Sequence, residues 1–75
     1  MSLERAFSEV LQLPAAAVVD ELQLLDIPSW DSMAHMLLIT RLEDDFKVQF
    51  SGDEIADMHS VGDARRMLRA HGAAV

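Results

Sequence analysis

Apolar residues recur at helical spacing in some stretches of the chain and lose that spacing in others. Leu3, Ala6, Phe7, Val10 and Leu11 follow i, i+3, i+4, i+7 and i+8, the stripe of an amphipathic helix. Ser2 stands where an N-cap belongs, and Glu4 falls in the first turn, where the helix dipole favours a carboxylate. The pattern predicts a first helix over residues 3–12 or so. Pro14 disfavours helical backbone at Leu13, and the clean period is absent as far as Pro28. Residues 13–31 therefore read as a long connection, in which Ala15-Ala16-Ala17 has the propensity for one short turn of helix.

Asp31 is placed to cap a second helix over residues 32–47, whose inward stripe is His35, Leu38, Ile39, Leu42 and Phe46. Val48 and Phe50 alternate with Gln49 as an extended pair of anchors. Ser51-Gly52-Asp53-Glu54 has the S-x-x-E form of a capping box and opens a short third helix over 52–58. Ser60-Val61-Gly62-Asp63 repeats the signal with an aspartate. A fourth helix over 61–71 follows, with Val61, Ala64, Leu68 and His71 on its buried side and Met67 flanking them. Arg65, Arg66 and Arg69 suit its negative end, and Gly72 the position just past it. The expected fold is all-α: one domain over residues 1–75, a small four-helix bundle of three main helices plus the short third, with a long loop between the first two.

Composition limits what such a domain can do. A chain of 75 residues has a small core, with little room for both a deep substrate pocket and a catalytic apparatus. The net charge of −7 disfavours nucleic-acid phosphates and anionic membranes and favours cationic protein partners. The acids are concentrated: eleven carboxylates lie between Asp20 and Asp63, against only Arg41 and Lys47. There is no cysteine, hence no disulfide, thiolate metal site or native thiol nucleophile. No apolar stretch is long enough for a membrane span and no basic leader precedes one, so a soluble cytoplasmic protein is expected.

The most pointed chemical signal is Asp31-Ser32-Met33, directly behind Trp30. It sets a serine hydroxyl at the positive end of a helix dipole, where amides without intrahelical partners favour a phosphate. The second helix also bears a stripe beside its core face, made of Met33, Met36, Leu37 and Thr40. With the core face already supplied, that stripe is expected to meet solvent as a docking patch of flexible side chains, with Glu43 and Asp44 as its acidic continuation. His35 is expected to be half-buried and hydrogen-bonded, with a sharper role in narrowing a cleft between the second and third helices. Trp30 is expected to pack under the loop, and Ser29 to form a turn.

The long first loop, the D-S-[LM] signature opening an amphipathic helix, the helix end Leu42-Glu43-Asp44-Asp45-Phe46 and two short capped helices together resemble the acyl carrier protein family. The likeness covers residues 3–71 or thereabouts. It implies that Ser32 is esterified with 4′-phosphopantetheine, donated by coenzyme A and transferred by a separate magnesium-dependent phosphopantetheinyl transferase. The thiol of that arm would carry acyl or aminoacyl groups as thioesters, from a loading enzyme to a downstream acyltransferase or synthase. The protein would be a phosphoprotein shuttle, monomeric as shuttles usually are, and not an enzyme. Carriers of bacterial fatty-acid synthesis usually follow the motif with acids, whereas Ala34 and Leu37 stand at those positions here. The resemblance is therefore to specialised carriers of secondary-metabolite, polyketide or aminoacyl-transfer pathways, with a small polar acyl, hydroxyacyl or amino-acid cargo.

Three rival readings remain open to test. Ser32 with His35 as base would make an enzyme, but orienting and oxyanion-binding partners must also be found in few residues. His35, His59 and His71 lack the tight spacing of a metal site, and no metal is expected. An unmodified acidic helical interaction module shares every feature except the covalent arm.

Overall fold

The computed structural model describes residues 2–75. Four α-helices run in the order α1 (Leu3–Leu11), α2 (Ser32–Phe46), α3 (Gly52–Asp57) and α4 (Val61–Ala70). The long connection before α2 holds two 3₁₀ turns, Ala15–Ala17 and Leu24–Asp26, where the sequence suggested one. The second forms because Asp26 and Ile27 return their amides to the carbonyls of Gln23 and Leu24. The architecture is the expected all-α bundle, with the short α3 set apart from the three longer helices.

Each helix starts on a side-chain cap. Ser2, Asp31, Ser51 and Ser60 accept from the amides of Arg5, Ala34, Glu54 and Asp63, all three residues onward. At α3 the box is reciprocal, because a Glu54 carboxylate oxygen also takes the Ser51 amide at 2.9 Å. At α4 the aspartate reaches one residue further back, to the His59 amide at 3.0 Å. The ends of α1 and α2 are closed by left-handed residues, Gln12 (φ 57°) and Lys47 (φ 56°), and Gly72 (φ 92°) follows α4 in the conformation that glycine adopts without strain.

The core is one apolar cluster. Leu3, Ala6, Phe7 and Leu11 of α1 pack with Leu38, Ile39 and Leu42 of α2 and with Val61, Ala64, Met67 and Leu68 of α4. Val18, Trp30, Phe50 and Met58 close it from the connecting segments. His71 departs from the expected stripe: it is exposed, because α4 ends at Ala70 and leaves it as the cap residue. Its Nε2 lies 2.9 Å from a Glu54 carboxylate oxygen, and its ring meets the edge of Phe50 at 5.4 Å, so the imidazole keeps its polar rim outside. Met67, expected only to flank, is buried in the core.

The connection is tied to the start of α4 by backbone bonds. Val61 and Gly62 donate to the carbonyls of Leu22 and Asp20 at 3.1 and 3.0 Å, and Leu24 donates to His59 at 2.8 Å. Glycine at 62 eases the approach, since a Cβ there would lie 3.1 Å from the Asp20 carbonyl oxygen and the neighbour would have to give by a few tenths of an ångström. Arg65 then clamps α1, connection and α4 by pairing with Glu4 and with Asp20. The guanidinium holds the Glu4 carboxyl below its ordinary range, while the Glu4 carboxylate raises Arg65 in turn.

Candidate functional site

Four features converge on the start of α2. Asp31 caps the helix through the Ala34 amide at 2.9 Å, so Ser32 becomes its first residue, with its side chain on the exposed surface. Among the described residues the amides of Ser32 and Met33 have no hydrogen-bond partner, which leaves two donors facing solvent beside the hydroxyl. A recess of about 300 Å³ adjoins them, walled by Leu24, Trp30, Asp31, Ser32 and His35. Ser29 does more than turn the chain: its hydroxyl donates to the Leu11 carbonyl at 3.1 Å, joining the end of α1 to the approach to α2.

Trp30 fixes the back wall. It is 2% exposed and meets Phe7 edge-to-face with ring centres 5.2 Å apart, while its indole N–H reaches His35 Nδ1 at 2.9 Å. The other ring nitrogen of His35, Nε2, lies 2.9 Å from the Ile55 carbonyl oxygen. An indole N–H only donates, so Nδ1 holds a lone pair and the proton sits on Nε2. With both nitrogens occupied, His35 is not available as a base to Ser32, and the Ser–His pairing that an enzyme would need is not formed.

A second and larger cavity, about 460 Å³, opens beyond His35 between α2, α3 and the connection. Ile55, Ala56 and Met58 line it, with Leu24 and Leu25 opposite. The leucine pair escaped the sequence reading because the connection has no period. Two adjacent leucines set between Glu21 and Asp26 were the available signal.

Of the remaining candidate residues, Met33, Met36 and Leu37 are 75%, 51% and 58% exposed, and Thr40 is exposed with its hydroxyl on the Met36 carbonyl. Asp44 is exposed, whereas Glu43 is partly buried. Glu43 accepts the Phe50 amide at 2.8 Å and so fastens the turn after α2, where a freely presented charge was expected. Among the described residues no group of three or more His, Asp and Glu side chains comes together as a metal site, and no helix is long and apolar enough to cross a membrane.

A holo acyl carrier protein from Geobacter metallireducens has a similar structure, with a TM-score of 0.81 and 31% identity, over 91% of this chain and 78% of that one. The chain belongs to the acyl carrier protein family. A holo acyl carrier protein from Nitrosomonas europaea is similar at a TM-score of 0.74 and 28% identity, over 93% of this chain and 89% of that one. A chain from Mycobacterium tuberculosis assigned to the same proteins shares the fold at a TM-score of 0.79 and 24% identity, covering 93% and 99% of the two chains. No family model matches the sequence, and no curated protein matches it. As in any acyl carrier protein, the role is that of a carrier that works with enzymes.

Proposed function

We propose that this protein carries an acyl or aminoacyl group as a thioester on 4′-phosphopantetheine attached to Ser32, and hands it between cytoplasmic enzymes of a specialised pathway. The observation that carries the proposal is the exposed Ser32 hydroxyl, first in α2 beside two unpartnered amides and a recess, in a chain of this family. In attachment Ser32 Oγ displaces 3′,5′-ADP from coenzyme A: the phosphoanhydride bond breaks, a phosphodiester forms, and the hydroxyl proton leaves to the transferase. The residues present suit such a group. The amides of Ser32 and Met33 and the helix dipole favour its phosphate by about 0.3–1 kcal/mol at an exposed site, enough to orient it but not to hold it without the covalent bond. Once attached, the arm supplies a thiol, and with no cysteine in the chain that thiol is unique.

Asp31 spends its carboxylate on the Ala34 amide and thereby sets the direction in which Ser32 points. Met33, Met36, Leu37 and Thr40 offer the transferase, the loading enzyme and the acceptor an apolar surface beside the serine, with Asp44 supplying charge. The absence of acids at Ala34 and Leu37, with apolar side chains in the first turns, supports a specialised pathway over housekeeping fatty-acid synthesis. Intact mass after incubation with a phosphopantetheinyl transferase and coenzyme A tests the proposal. The mass should rise by one arm, and Ser32→Ala should abolish the gain without changing the melting temperature. An unchanged mass, or an arm retained by Ser32→Ala, makes the protein an unmodified acidic interaction module.

A further inference from the structure

The recess beside Ser32 and the larger cavity are neighbours that share only Leu24 and His35 among their walls. The imidazole between them is held from both sides, by the indole N–H of Trp30 at Nδ1 and by the Ile55 carbonyl at Nε2, each at 2.9 Å. Its ring also lies near-parallel to the indole, at 29° with centres 6.0 Å apart. Trp30 cannot follow a movement of His35, because its own ring is buried against Phe7. Swinging the imidazole aside therefore leaves a buried indole N–H without an acceptor and frees α3 from its tie to α2. Both chambers are mainly apolar, but Asp31 and Ser32 join Leu24, Trp30 and His35 around the outer one, whereas Leu24, Leu25, Ile55, Ala56 and Met58 dominate the inner one, with Gln23 and His59 at its border.

We propose that His35 is a specificity-determining residue that bars the inner cavity to a group tethered at Ser32, so that long alkyl chains stay in solvent as short polar acyl groups do. This rests on the carrier reading above. The cavity is apolar enough to favour an alkyl chain; it also opens to solvent beside the exposed Leu25, but the wall it shares with the recess at Ser32 is the imidazole, so a chain passing directly from the serine must first break that pair of hydrogen bonds. Removing the imidazole merges the chambers and turns the protein into one that encloses alkyl cargo.

The test loads the full chain with octanoyl and with 3-hydroxypropionyl groups, using a transferase and the two acyl-coenzyme A esters, and verifies both products by intact mass. Hydroxylamine cleavage of the thioesters and amide chemical shifts of Ile55, Ala56 and Met58 are then compared. In the native protein both thioesters should be cleaved at the same rate within about twofold, and octanoyl should leave those amides unmoved. In His35→Ala octanoyl should be cleaved about fivefold more slowly than the short group and should shift all three amides. Trp30→Phe keeps a buried ring while removing the N–H, so it should give an intermediate ratio and guards against a fold defect in His35→Ala. Octanoyl protected in the native protein, or native ratios in both variants, overturns the inference while leaving the carrier reading intact. A chain that accepts no arm overturns both.

Discussion

The side of the bundle built from α1, α4 and the C-terminal half of α2, with Asp20 of the connection pinned to it, is cross-linked by charge, whereas the side built from the later part of the connection, the start of α2 and α3 has no carboxylate paired with Lys or Arg among the described residues. On the first side Arg5 and Arg41 share Glu9, Arg41 also holds Asp45, Arg65 holds Glu4 and Asp20, and Arg66 holds Asp63. On the second, among the described residues, no Lys or Arg pairs with Asp26, Asp31, Asp53 or Asp57. The exposed apolar side chains Leu25, Met33, Met36 and Leu37 also lie on the second side, with both chambers. Surface ion pairs add little stability individually, so the difference matters more for recognition. The acidic excess is displayed where the serine stands and is neutralised where the helices pack, so a cationic partner would be drawn to the serine's side.

The sharpest way to separate the two sides is to damage the first. Phe7 is fully buried and supports both the core and Trp30, so Phe7→Ala should cost about 3–5 kcal/mol in chemical denaturation. A loss below about 1 kcal/mol would mean that α1 does not anchor the bundle. Damage to the second side should show in function. Met36→Glu should change folding stability by no more than about 0.5 kcal/mol, yet slow turnover by a partner enzyme about tenfold. A large fall in melting temperature would place Met36 in the core.

The smallest effect concerns the one ionic contact on the α3 side, between Glu54 and His71. The Ser51 backbone N–H, and after it His71, hold the Glu54 carboxyl below its ordinary value. A carboxyl depressed in the folded state contributes stability that is complete above its unfolded pKa, about 4.3, and is lost as pH falls through the folded value. The stability gap between the native protein and Glu54→Gln should therefore be level above about pH 5 and close below about pH 4. A gap that widened on acidification would contradict this sign.

The fold class was legible because several local signals agreed: periodic stripes in α1 and α4, a capping residue before every helix, and a left-handed glycine at the last end. The outward stripe on α2 was legible for a related reason, since one helix cannot bury two faces in a core this small. What sequence pattern does not carry is contact between distant segments. Leu24 and Leu25 become cavity walls only because the connection is stitched to His59 and Ser60. Glu43 was read as a free charge because its partner, the Phe50 amide, lies beyond a turn whose path the pattern leaves open. His71 was assigned inward by its spacing, but a helix that stops one residue earlier releases it to the surface.

The stitch between the connection and α4 divides a long crossing into two spans with different tolerance for change. The stretch around Pro14 to Ala17 is exposed and leads only to the anchored Val18, so extra residues there would bulge into solvent. Between Gln23 and Trp30 every residue added would push a wall of one chamber or the other. Lengthening engineered into the early span should yield a working protein, and the same lengthening in the late span should redraw what it can hold.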